Sequence, residues 1–96
     1  MENFLIEQGI SNSAIKKMIK LRSQNCLSDL YLYKEEVIKN IESFKKVGIT
    51  NLDDMIAIET DYFYQDNLVL NEKLLKLSKD QIQIINEDNT AIEFFI

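Results

Sequence analysis

The side chains able to do chemistry in this chain are sparse and unevenly placed. There is one cysteine, Cys26, and no histidine. A lone cysteine cannot close an internal disulfide, and without histidine the usual Cys/His zinc set cannot be assembled. Free cysteine is most often a small buried hydrophobe, which is the reading adopted for Cys26. Ser-His-Asp and Cys-His activation of a nucleophile are ruled out by the same absence. Carboxylates remain, as the adjacent pairs Glu35-Glu36, Asp53-Asp54 and Glu87-Asp88. Neighbouring positions on a helix project in different directions, so these pairs do not make a catalytic dyad by spacing. Asp53 and Asp54 suit the first turn of a helix, where negative charge complements the dipole. A carboxylate enzyme would need a cleft lined by at least two of these acids. Two isolated glycines cannot build a phosphate loop. The expectation is a protein without catalytic activity, cofactor or metal.

The elements that must carry these groups are set out by a repeat. Gly9-Ile10-Ser11-Asn12 returns as Gly48-Ile49-Thr50-Asn51, and Met18-Ile19 returns as Met55-Ile56. The glycines lie 39 residues apart and the Met-Ile pairs 37 apart, so the second copy is two residues shorter. A period of this size predicts stacked helical units. The reading is a single domain over 1–96, with copies at about 3–29 and 41–66 and a partial copy at 74–96. The fold class expected is all-α, a short helical-repeat, α-solenoid-like bundle of five to seven short helices.

Each glycine is read as a helix stop, able to take the left-handed conformation at no steric cost. Ile10 supplies the apolar contact beyond the first stop, and Ser11, Asn12 or Ser13 caps a second helix ending near Asn25. With Ser28 or Asp29 as cap, Leu30, Tyr33, Val37, Ile41 and Phe44 then predict the longest helix, up to Gly48. Thr50 and Asp53 form a weak capping box for a helix over about Leu52 to Glu59. Tyr62-Phe63-Tyr64 is expected as a short turn-like element of core and rim aromatics. Asp66 or Asn67 then caps a helix from Leu68 to Leu77 with Leu70, Leu74 and Leu77 inward. From Ser78 on, the repeat favours a helix opened by a Ser78/Gln81 capping box, against a hairpin pairing Ile82-Gln83-Ile84 with Ile92 to Ile96.

The run Asn40-Ile41-Glu42-Ser43-Phe44-Lys45-Lys46-Val47-Gly48-Ile49-Thr50-Asn51-Leu52-Asp53-Asp54-Met55-Ile56, echoed loosely from Phe4-Leu5 to Ile19, resembles the mitochondrial transcription termination factor repeat. The resemblance implies stacked units forming a curved solenoid that binds nucleic acid along a basic concave surface. The family's proline at the end of the second helix has no counterpart here, where Ser23 and Thr60 stand near that place.

Charge divides the partners the chain could take. The net charge is −5, which repels a phosphate backbone overall. Residues 1–48 carry eight basic and six acidic side chains, and residues 49–96 carry three basic and ten acidic. A local basic patch of Lys16, Lys17, Lys20, Arg22, Lys45 and Lys46 is the candidate surface for DNA or RNA. Asp53, Asp54, Asp61, Asp66, Glu87 and Asp88 are the candidate acidic face for a basic protein partner. The leading expectation is an acidic interaction module that binds a protein, as a regulator or inhibitor of a nucleic-acid-handling protein. Binding of nucleic acid by the basic patch is the alternative. The apolar end Phe94-Phe95-Ile96, if exposed, would be a homodimer contact. No apolar run reaches the ~20 residues that span a bilayer, and Met1-Glu2-Asn3 lacks the basic start of a signal peptide, so a cytoplasmic protein is expected.

Overall fold

The computed structural model describes residues 1–96, and the chain is all-α. Eight α-helices, α1 (Asn3–Glu7), α2 (Asn12–Leu21), α3 (Gln24–Leu32), α4 (Lys34–Val47), α5 (Leu52–Ile58), α6 (Asn67–Leu75), α7 (Lys79–Glu87) and α8 (Ile92–Phe95), are joined by two 3-10 turns at Thr60–Tyr64 and Asn89–Ala91. Helix α4 packs between α1 and α6, and α2 packs on α5. The helices that enter each glycine turn thus form one layer and the helices that leave it form another. One cluster of 22 buried apolar residues fills the space between, with Phe44 and Phe63 in contact at its centre, their rings 5.0 Å apart. No helix is long and apolar enough to cross a membrane.

The two glycine turns are built alike. Gly9 has φ +94° and Gly48 φ +101°, and these are the only two residues in the left-handed region. The Ile10 amide donates to Leu5 O and the Gly9 amide to Ile6 O, while Ile49 and Gly48 donate in the same pattern to Phe44 O and Lys45 O. These paired bonds satisfy the carbonyls that a helix end leaves open. Ile10 and Ile49 are buried just past each stop. The third junction, Lys76-Leu77-Ser78, has no glycine and no left-handed residue.

Each of the first two turns is tied to the following unit. The Ser11 amide donates to Asp53 Oδ1 at 3.0 Å, and Lys45 Nζ donates to Gln8 O at 2.7 Å. One unit further on, the Thr50 amide donates to Asn86 Oδ1 at 3.0 Å, and Asn86 Nδ2 donates to Gly48 O at 3.0 Å. At the third junction the Ser78 amide donates instead to Gln81 Oε1 of its own helix, completing the capping box. The last unit supplies for itself what the earlier two take from a successor.

Several boundaries differ from expectation. There are eight helices rather than five to seven because the expected long helix breaks at Tyr33. Helix α2 stops at Leu21 and α3 is already helical at Gln24, so Ser28 and Asp29 lie inside it rather than capping it. Chain direction changes at Tyr33 because α3 packs on α2 whereas α4 turns to meet α6. Tyr33 is left outside the core, stacked on Tyr64 with ring centroids 6.1 Å apart. Asp53 does not close a capping box with Thr50, because its carboxylate is engaged by Ser11. Helix α6 stops at Leu75, short of Leu77. The C-terminal segment is helical rather than a hairpin, with Asp88 capping the turn that leads into α8.

A buried polar network fastens α6 to α4. Asn40, fully buried, donates through Nδ2 to Phe63 O at 2.9 Å and Gln65 O at 2.8 Å. Its Oδ1 accepts from Asn67 Nδ2 at 2.9 Å, and the Asn67 amide donates to Glu36 Oε2 at 2.7 Å. No buried side-chain nitrogen or oxygen is left without a partner.

Candidate functional site

The six basic candidates divide into two sets. Lys17 Nζ lies 3.6 Å from Asp54 Oδ1, Arg22 Nη1 lies 3.5 Å from Asp61 Oδ1, and Lys45 is bound to the Gln8 carbonyl. Lys16, Lys20 and Lys46 are exposed and make no ion pair. Half of the patch is therefore spent on joining the first unit to the second. Lys46 and Lys39 border a polar depression of about 230 Å³ with Glu42, Ser43, Asn67 and Asn71.

All six acidic candidates have partners within the chain. Besides Asp53, Asp54 and Asp61, Asp66 accepts from the amides of Leu68 and Val69, and Asp88 from the amide and hydroxyl of Thr90. Glu87 accepts from Gln83 Nε2 at 3.3 Å. Ser11, Ser13, Lys17, Asp53 and Asp54 border a depression of about 150 Å³ whose two acids are both engaged in this way. Cys26 is buried at the start of α3, its thiol donating to Ser23 O. No three ligating side chains are gathered to hold a metal.

The most perturbed groups gather where the C-terminal ends of α2 and α5 meet α8. Glu59, only 6% exposed, ends α5. Burial pushes its carboxyl up to about 7, and the charge and hydrogen bond of the neighbouring Glu93 carboxyl act in the same direction. Arg22 works the other way but is engaged by Ile58 O and Asp61. Burial and then these two glutamates raise the Tyr62 hydroxyl. Tyr64 Oη donates to Asp61 Oδ1 at 2.8 Å, and this bond, with partial burial, pushes its hydroxyl up to about 12. Residues from all three units thus form one acidic and aromatic node. Perturbed groups of this kind are a physical marker of functional sites.

The repeat contains a signal for part of this node. Aligning Met18-Ile19 with Met55-Ile56 sets Leu21 against Ile58 and Arg22 against Glu59. Stacked units bring equivalent positions together, and Leu21, Arg22, Ala57 and Ile58 do line one open depression of about 470 Å³. Glu93 has no such equivalent and could not be found in this way. Nor does spacing single out Asn40.

A second surface lies on the outer flank of α6. Leu70 and Leu74 face the core, while Leu68, 82% exposed, and Leu75, 62% exposed, lie two turns apart on another side. Helices apolar on more than one side are normally covered on both. Phe94, 85% exposed, and Leu32, 72% exposed, are also held out from the surface.

Comparison of the chain with protein-family models, with curated proteins and with solved structures found no match.

Proposed function

We propose that this protein is a non-catalytic helical interaction module that binds a protein partner along the outer flank of α6. The observation carrying this reading is the pair Leu68 and Leu75 on a helix whose opposite side is already packed into the core. A flank of this form suits an apolar helix laid alongside α6 as the next member of its layer. The surplus of seven acidic charges in residues 49–96 favours a partner edged with basic side chains. Such a partner fits a protein that handles nucleic acid, with this chain acting as its regulator or inhibitor. Photo-crosslinkers at position 68 and, as a control, at position 84 test the site in the native cell, with and without nuclease. Nuclease-resistant adducts from position 68 alone support the reading. Adducts of equal yield from both positions, or loss of all adducts on nuclease treatment, would count against it.

The alternative is nucleic-acid binding in the manner of the transcription termination factor repeat. It is supported by Lys16, Lys20 and Lys46, whose ammonium groups are free of internal acids. Binding to duplex DNA would then weaken steeply with salt, and Lys16→Ala with Lys20→Ala would flatten the slope. The absence of a shifted band at low salt would remove this reading.

A further inference from the structure

The depression between α4 and α6 is lined by polar groups alone, and its cations are unspent. Its border is Lys39, Glu42, Ser43, Lys46, Asn67 and Asn71. Lys39, Ser43 and Lys46 fall at i, i+4 and i+7 along α4, which sets them on one side of that helix. Asn67 and Asn71 lie one turn apart on α6, which packs against it. Lys39 and Lys46 make no ion pair, although Glu35 and Glu42 flank Lys39 at i−4 and i+3. Lys45 is the only lysine that donates a hydrogen bond to the chain, so the other two ammonium groups are free.

The floor of the cleft is fixed by the buried network. Ser43, 8% exposed, accepts from Asn67 Nδ2 at 3.1 Å, and Asn67 Nδ2 gives its other hydrogen to Asn40 Oδ1 at 2.9 Å. Both Asn67 donors are thereby used inside the protein, and its Oδ1 is left as an acceptor. The Ser43 oxygen receives a bond, but its own hydroxyl hydrogen has no acceptor in the chain. A hydroxyl this deeply buried ordinarily spends its donor, so this one is available to whatever enters the cleft.

We propose that the cleft binds the phosphoryl group of a small phosphate monoester that also carries hydroxyls, a sugar phosphate in chemical class. The two ammonium groups and the Ser43 hydroxyl are the donors for the phosphate oxygens, and such bonds are strengthened by charge on both sides. Glu42 and Asn67 Oδ1 are acceptors without donors, and they suit the hydroxyls of the ligand. Glu42 also sets selectivity. A carboxylate standing between two lysines along α4 repels a continuous polyanion more than a single phosphoryl group whose neighbours are neutral hydroxyls. The volume, about 230 Å³, is below that of pockets for drug-sized molecules and suits a ligand of triose to pentose size. The site does not depend on a protein docking along the outer flank of α6.

NMR of the full chain at constant ionic strength tests this, following the Ser43 backbone amide and the side-chain amides of Asn67 and Asn71. The probes are ribose 5-phosphate, inorganic phosphate, free ribose and a short oligothymidine. Ribose 5-phosphate should give saturable shifts at all three groups, inorganic phosphate should bind there more weakly, and ribose should move none of them. Lys39→Ala with Lys46→Ala, both at exposed positions, should weaken ribose 5-phosphate by about tenfold or more. The Asn67 resonances of that variant without ligand should match wild type, which shows that the floor is intact. Glu42→Gln should narrow the preference for ribose 5-phosphate over inorganic phosphate. Shifts that fail to saturate by about 20 mM, or that are unchanged in the double lysine variant, overturn the site. Oligothymidine that moves these groups at a lower phosphate concentration than the monoester assigns the cleft to a phosphodiester backbone and overturns the proposal as well.

Discussion

Burial at the end of α5 raises the Glu59 carboxyl, and the charge of the neighbouring Glu93 acts in the same direction. The consequence for stability has a definite sign. Its folded value, about 7, lies above the unfolded 4.5, so the native state binds the proton more tightly. The associated stability is fully present below pH 4.5 and is lost as pH rises through 7. The loss has a ceiling of about 3 kcal/mol. Urea melts of the wild type at pH 5 and pH 8 should show this fall, and Glu59→Gln should melt at nearly the same urea concentration at both. Asn40 is the opposite case, a buried polar group with every hydrogen bond satisfied. Asn40→Ala strips Phe63 O, Gln65 O and Asn67 of their partner and should cost roughly 2 to 3 kcal/mol in the same assay.

Among the elements, the glycine stops and the capping box carry separable contributions. A Cβ at Gly48 would meet only Ile82 Cγ2, at 3.7 Å, so space is not the obstacle to a side chain. The left-handed backbone is, and Gly48→Ala should destabilise by about 1 to 2 kcal/mol in thermal or urea unfolding. Gly9→Ala should behave alike, since Lys45 Nζ stands at the same 3.7 Å. Ser78→Ala removes the acceptor for the Gln81 amide and should cost ~1 kcal/mol, with α7 fraying first in hydrogen exchange.

For the molecule as a whole, the charge asymmetry along the sequence is spent partly on internal joints, as Lys17–Asp54 and Arg22–Asp61 show. These pairs are exposed, and each should contribute under about 1 kcal/mol. The outer leucines of α6 are not so committed. Leu68→Glu with Leu75→Glu should leave the melting midpoint within about 0.5 kcal/mol of wild type, because both side chains already face water. The same double substitution should abolish capture of the partner, which co-purification of the variant and the wild type would compare.

The sequence by itself determined the helical class, the stops at Gly9 and Gly48 and the Ser78 cap, and narrowed two further caps to Ser11, Asn12 or Ser13 and to Asp66 or Asn67, of which Ser11 and Asp66 serve. These depend on short-range rules, such as a left-handed residue after a helix or a hydroxyl three residues before an amide. It also held the meeting of Leu21 and Arg22 with Ile58, through the alignment of the two copies. Tertiary structure alone decided the break at Tyr33, the engagement of Asp53 by Ser11, the Asn40 network and the burial of Glu59. In each of these the partner lies far along the chain and is chosen by how layers pack. Which lysines were free and which were tied down was decided in the same way, because an ammonium group can pair with any carboxylate that folding brings near it.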